Sequence, residues 1–156
     1  MIKELIDTAI IIEELENSEK SAALREILAV VGEQVGMGDK ELTSLTRRLF
    51  KRERLGSTGI GNGVAVPHVK GKTIDHMRLV LARSSAGIEY QAIDGQDVKT
   101  IFLILAPEGE AEKHLQALRW ISILARDADF RRFVLVAKGP DEIRDLLFEM
   151  GERLAP

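Results

Sequence analysis

Chemistry is concentrated in very few places along this chain. There are three histidines, His68, His76 and His114, and no cysteine. Without cysteine there are no thiolate nucleophiles, thiolate metal sites or disulfides. His68 has the most distinctive setting, at the end of the run Gly59-Ile-Gly-Asn-Gly-Val-Ala-Val-Pro-His68. Pro67 fixes its own φ and biases Val66 toward extended backbone. The sheet is therefore expected to end at His68 and to present the imidazole at a strand terminus, where α/β domains place much of their chemistry. A neutral imidazole has one nitrogen with a free lone pair. If a backbone carbonyl accepts a bond from one ring N–H, the other nitrogen is poised as a nucleophile or ligand. Gly59, Gly61 and Gly63, with Asn62 among them, read as a flexible turn whose exposed N–H groups can form a nest for an anion.

His114 lies in Glu110-Ala-Glu-Lys-His-Leu, within the first turns of an expected helix. A helix N-terminus favours negative charge nearby, so His114 could sit beside an anion held at His68. His76 follows a polar loop and reads as a surface residue. The histidines form no H-x-x-x-H or H-E-x-x-H pair, so a zinc site is not expected. Two phosphate-binding readings also fail. The glycine spacing is G-x-G-x-G, not G-x-G-x-x-G, and it stands before a strand-like run. Gly71-Lys72-Thr73 imitates the end of a P-loop, but Val66 occupies the position of its first glycine. Ser57, Ser84, Ser85 and Ser122 lack the G-x-S-x-G setting of a serine nucleophile.

The elements that must position these residues follow from periodicity. Ile10 to Leu15 is expected to be a short strand. Leu24, Ile27, Leu28 and Val31 recur at helical spacing, which predicts a helix over about 18–35 capped by Asn17 or Ser18. Gly36-Met37-Gly38 ends it. Asp39 is expected to cap a second helix with Leu42, Leu45, Leu49 and Phe50 on its apolar face, ending near Leu55-Gly56. Strands are expected at Val64–Val66 and Met77–Arg83, and a turn at Asp94-Gly95. Thr100 to Ala106 is a continuous apolar run of strand length, as in a central strand buried on both faces. Glu110 to Arg126 carries Leu115, Leu118, Ile121 and Leu124 at helical spacing. Phe130 to Val136 is ambiguous, and Pro140 starts a last helix with Ile143, Leu146, Leu147 and Met150 facing inward. The order suggests an α/β or α+β domain, a mixed β-sheet flanked by helices on both faces in a three-layer α/β/α sandwich.

Composition sets the outer bounds. The 156 residues fit one domain, residues 1–156, and 45% hydrophobic content supplies a sizeable core. The net charge of −3 argues against nucleic acid as the main partner. The densest basic run, Arg47 to Arg54, holds five basic residues and Glu53, and is either a solvated helix face or a local anion-facing patch. The N-terminal apolar stretch is interrupted by acids and does not read as a signal peptide. No apolar run approaches the roughly 20 residues of a membrane span. The expected setting is soluble and cytoplasmic.

The segment Gly56-Ser-Thr-Gly-Ile-Gly-Asn-Gly-Val-Ala-Val-Pro-His68 resembles the enzyme IIA domains of the bacterial phosphoenolpyruvate-dependent phosphotransferase system, in the fructose/mannitol/nitrogen-regulatory class. The similarity extends over nearly the whole chain, from the early strand and two helices to the later Lys113-His-Leu helix, and is closest to the nitrogen-regulatory branch. The resemblance implies that His68 receives a phosphoryl group from a histidine-containing phosphocarrier protein. It implies that His114 contacts the phosphoryl oxygens and that Arg52 stands beside the site. Gly59, Gly61, Asn62 and Gly63 would form the phosphoryl loop. The mannitol members carry an acid at the place of Asn62, which favours the nitrogen-regulatory reading here.

Phosphoryl transfer is mostly positioning and charge stabilisation, so this step needs no metal, nucleotide or other cofactor. The expected function is a phosphocarrier, a phosphotransferase component, that regulates nitrogen- and potassium-related partners by its phosphorylation state. The alternative is a IIA component that passes the phosphoryl group to a IIB domain of a fructose/mannitol-type sugar transporter. A third reading is a binding module whose histidine is never phosphorylated. No membrane insertion is expected, and Ile10-Ile11-Ile12 is a possible edge for a homodimer.

Overall fold

The computed structural model describes residues 1–154, and its centre is the apolar run that the sequence marks for burial on both faces. The elements follow in the order α1 (Ile2–Asp7), β1 (Ile10–Ile12), α2 (Lys20–Val35), α3 (Asp39–Leu55), β2 (Gly59–Gly61), β3 (Val64–Ala65), β4 (His68–Gly71), β5 (Arg78–Ile88), β6 (Val98–Pro107), α4 (Ala111–Arg126), α5 (Ala128–Val136) and α6 (Gly139–Arg153). The sheet order is β1-β5-β6-β3-β2, with β4 also paired to β6. β1 runs parallel to β5, β3 and β4 run parallel to β6, and β5/β6 and β2/β3 are antiparallel. The sheet is therefore mixed, and β6 is its hub.

Period-two alternation divides the core into two layers. Leu79, Leu81, Phe102, Ile104 and Ala106 face a cluster built with α1, α4, α5 and α6. Val80, Ala82, Ile101, Leu103 and Leu105 face a second cluster built with α2 and α3. This is the expected sandwich of helices on both sheet faces. Two arginines, Arg83 buried and Arg144 half-buried, tie its margins together. Arg83 donates to the carbonyls of Glu13, Val134 and Ala137. Arg144 donates to those of Ile6, Asp7 and Ala9.

Several local expectations need correction. The N-terminal segment forms α1, which the early acids concealed. β1 stops at Ile12, and beyond it the Leu15 N–H donates to the Arg83 carbonyl outside a regular ladder. Glu19, and not Asn17 or Ser18, caps α2: its carboxylate accepts from the N–H groups of Ser21 and Ala22. Gly38 is the cap of α3, and Asp39 is its first helical residue, where an acid suits the helix dipole. β5 runs beyond Arg83 to Ile88 across a register shift. Phe130–Val136 resolves as part of helix α5.

α4 is rotated from its expected face. Leu115 is 48% exposed, while His114, Ala117, Trp120, Ile121 and Leu124 are buried. Trp120 decides this orientation. Its Nε1–H donates to the Gly151 carbonyl at 3.1 Å, and its ring fills the space over Gly151, where a Cβ would lie 2.8 Å from it. Among the described residues no helix is long and apolar enough to cross a membrane.

Candidate functional site

Pro67 breaks a strand that would otherwise run on beside β6. β3 pairs Val64 with Thr100 and Ala65 with Ile101, and β4 resumes the parallel pairing with His68 opposite Ile104. The proline has no N–H for a ladder bond, and its carbonyl instead accepts from the Ile104 N–H at 3.0 Å. The sheet thus does not end at His68, as the sequence suggested. It restarts there, and His68 is the first residue of β4. The interruption fixes the ring. His68 Nδ1 lies 3.0 Å from the Val66 carbonyl oxygen. A carbonyl can only accept, so Nδ1 carries the hydrogen and Nε2 keeps its lone pair. The imidazole is half-buried.

His114 comes from the first turns of α4 and meets this ring edge-on. The ring centroids are 5.3 Å apart, with an interplanar angle of 69°. His114 is 6% exposed, and its Nε2 is buried without a hydrogen-bond partner. Burial, then the neighbouring charges of His68 and Lys70, lower its pKa to about 4. The ring is therefore neutral near pH 7, with a polar atom that is costly to leave unpaired. Lys70 stands two residues after His68, on the same face of β4. Arg48 steadies the end of this strand. Its Nη1 donates to the Lys70 carbonyl at 3.1 Å and pairs with Glu108 at 3.0 Å, just ahead of α4.

The glycine loop is more constrained than its composition suggested. Gly59–Gly61 is strand β2, and Asn62 and Gly63 both have positive φ, 58° and 77°. That pair turns a tight hairpin into β3. The Gly59 N–H donates to Ser57 Oγ at 3.1 Å, and the Asn62 N–H donates to Asp94 Oδ2 at 2.9 Å. Two amides of the expected anion nest are thus already used. The N–H bonds from Asn62 and Gln96 hold the Asp94 carboxyl below the usual carboxylate range. The turn around Asp94 braces the hairpin from outside. A Cβ on Gly59 would lie 2.7 Å from the Ala92 backbone.

The foot of the hairpin is anchored by a carboxylate that the sequence reading passed over. Glu53 of α3 is buried, with 4% of its side chain exposed. It accepts from the Thr58 N–H at 3.1 Å, from the Thr58 hydroxyl, and from the Tyr90 hydroxyl at 2.8 Å. Lys20 of α2 pairs with it at 3.3 Å and lies 4.4 Å from the Tyr90 ring centroid. Burial, reinforced by the Glu53 charge, raises the Tyr90 pKa. The one sequence signal was an acid inside an otherwise basic stretch.

Of the expected site residues, the structure brings His68 and His114 together, and the Gly59–Gly63 hairpin leads directly into His68. Arg52 Nη1 donates to the Gly56 carbonyl at 2.9 Å, at the end of α3. His76 is exposed and contacts Asp75.

The family described as phosphoenolpyruvate-dependent sugar phosphotransferase system, EIIA 2, matches residues 4–150. The chain belongs to this family. A nitrogen regulatory protein from Bradyrhizobium diazoefficiens is 34% identical over 146 residues, which is 94% of each chain. The fructose-specific EIIABC component of the phosphotransferase system from Bacillus subtilis is 32% identical over 94% of this chain and 23% of its own length. The crystal structure of the nitrogen regulatory protein IIA-Ntr from Neisseria meningitidis superposes with a TM-score of 0.78 at 26% identity, covering 94% of this chain and 98% of that one. EIIA 2 domains are phosphotransfer components. The family membership thus gives a chemical context to a histidine with one free ring nitrogen.

Proposed function

We propose that this EIIA domain carries a phosphoryl group on Nε2 of His68, received from a histidine-containing phosphocarrier protein. The supporting observation is the paired imidazoles: His68 with Nδ1 bound to a carbonyl, and beside it the buried, unpartnered Nε2 of His114. In the transfer, the P–N bond to the donor imidazole breaks as the Nε2–P bond forms. The donor leaves as a neutral ring. The His68 ring gains positive charge, which its Nδ1–H bond to Val66 stabilises. His114 Nε2–H then donates to a phosphoryl oxygen, which supplies the missing partner.

Lys70 adds positive charge, and Arg52 adds more from the foot of the hairpin. Gly59 and Asn62 shape the phosphoryl loop through their bonds to Ser57 and Asp94. Gly61 and Gly63 let the backbone approach closely. No cofactor takes part in this step.

The output in this reading is regulatory. A phosphoryl group adds about −1.5 to −2 charge at the docking face, enough to change which cytoplasmic partners bind. Similarity over 94% of each chain to a nitrogen regulatory protein supports nitrogen-related targets, and the potassium-related ones rest on the family resemblance alone. The similarity to a fructose-specific component favours a second reading, transfer from His68 to a IIB domain. The test of the relay is intact mass after incubation with phosphoenolpyruvate, enzyme I and the phosphocarrier. One added phosphoryl group in wild type, absent in His68→Ala, is expected. No addition to wild type, with a control acceptor phosphorylated, would overturn the proposal.

A further inference from the structure

The basic run of α3 is only partly used by the histidine site. Arg48 turns to β4 and Arg52 to Gly56, as described above. Arg47 and Arg54 instead line a cleft of about 1070 Å³ between α2 and α3, together with Lys20, Arg25, Phe50 and Glu53. Neither His68 nor His114 lines this cleft. Its volume lies just above the roughly 300–1,000 Å³ usual for small-molecule sites.

Charge in the cleft is strongly biased. Four cations face one carboxylate, in a chain whose net charge is −3. The carboxylate, Glu53, is engaged by Lys20, Thr58 and Tyr90. Asp39 lines a smaller hollow that shares Arg47. Among the described residues, Arg25, Arg47 and Arg54 have neither an ion-pair partner nor a protein hydrogen-bond acceptor. Arg25 rests 4.8 Å from the Phe50 ring centroid, an arrangement that orients the guanidinium without using its N–H donors. Leu28, Leu42 and Phe50 supply apolar wall beside these groups.

Planar guanidinium forks match phosphate oxygens two at a time, which separates this chemistry from a simple point charge. We propose that the α2–α3 cleft binds an organic polyphosphate of about nucleotide size. Its phosphates lie on Arg25, Arg47 and Arg54, and its aromatic or apolar part lies against Phe50 and Leu42. The cleft shares Glu53 with the foot of the phosphoryl hairpin. Binding is therefore read both at the cleft and at Thr58.

The test is titration of the full chain with ATP and, separately, with inorganic pyrophosphate, followed by amide NMR and calorimetry. ATP is expected to saturate with shifts at Arg25, Arg47, Phe50 and Thr58, and to bind at least about fivefold more tightly than pyrophosphate because of the apolar wall. Arg47→Gln combined with Arg54→Gln should weaken ATP binding about tenfold or more, and the paired lysine variants should fall between, since they keep charge but lose the fork. His68→Ala should bind ATP as wild type does, which separates this site from the relay. Equal affinity for pyrophosphate and ATP would overturn the apolar half of the assignment. Unsaturable binding, or binding undiminished in a folded glutamine variant, would overturn the whole. Saturation by an acidic peptide but by neither phosphate probe would make the cleft a protein-docking surface and end the proposal.

Discussion

Replacing Glu53 separates its charge from its hydrogen bonding. In Glu53→Gln the amide has a favourable orientation. Its oxygen can keep the Thr58 N–H and face Lys20, while its NH₂ donates to the Thr58 and Tyr90 hydroxyls, which rotate to accept. What is lost is the charge opposite Lys20 and the charge-assisted character of the bonds, worth about 2 kcal/mol. Glu53→Ala has no such escape. It leaves the Thr58 N–H and the Lys20 ammonium without their acceptor, and the Tyr90 hydroxyl with only Thr58 Oγ1, 3.0 Å away, at about 4 kcal/mol.

For a chain of this length each kcal/mol shifts Tm by about 2–4 °C, so the expected losses are about 4–8 °C for Gln and 8–16 °C for Ala. The assay is thermal unfolding by circular dichroism at neutral pH, with amide NMR to locate the change. Shifts should concentrate at Thr58–Gly61 and Tyr90. An alanine variant within about 2 °C of wild type, well below that range, would refute the anchoring argument. A glutamine variant as unstable as alanine would refute the orientation argument.

Other predictions follow from the same geometry. His114 is held neutral in the fold, with its pKa lowered to about 4, whereas the unfolded chain takes up this proton near pH 6.5. The folded state should therefore lose up to about 3 kcal/mol as pH falls from 6.5 to 4, with no further change below, relative to His114→Gln measured in parallel. A constant difference between the two proteins across that window would contradict the burial of the neutral ring. Gly59→Ala should cost about 2–3 kcal/mol, since its Cβ would meet the Ala92 backbone, while Gly56→Ala, with open space around it, should stay within about 0.5 kcal/mol in denaturant titrations. His68→Glu, a partial mimic of the phosphorylated charge, should change pull-down of regulatory partners from that seen with wild type. Equal binding by both would count against charge switching.

The sequence revealed most where a single period governed a long segment. The β6 run was legible because no polar residue interrupts Ile101–Ala106, and both layers of the core use that strand. α2 and α3 were legible from their leucine spacing. Their caps were not: Glu19 caps α2 with its carboxylate although Asn17 and Ser18 are the residue types preferred there, and Gly38 caps α3 through its backbone alone. The face of α4 was misread because Leu115 fits the helical period equally well, while Trp120 follows a long-range bond to Gly151. At the site, the Pro-His dipeptide correctly marked a constrained imidazole. The glycines marked a turn, but its rigidity comes from Asp94 and Ala92, some thirty residues later in the chain. Glu53 was concealed for a similar reason: its partners Lys20, Thr58 and Tyr90 lie on three other segments. Pairing of that range leaves no local pattern.

The phosphocarrier role proposed for His68 rests on the state of one ring nitrogen. Long-range ¹H–¹⁵N NMR of the imidazoles, before and after incubation with the phosphorylated carrier, tests it most directly. Before transfer, His68 should show hydrogen on Nδ1 and a free Nε2. After transfer, the phosphorus coupling should appear at Nε2 of His68 alone, with His114 shifted as it gains its hydrogen bond. Phosphorus on Nδ1, or on a residue other than His68, would contradict the account at its centre.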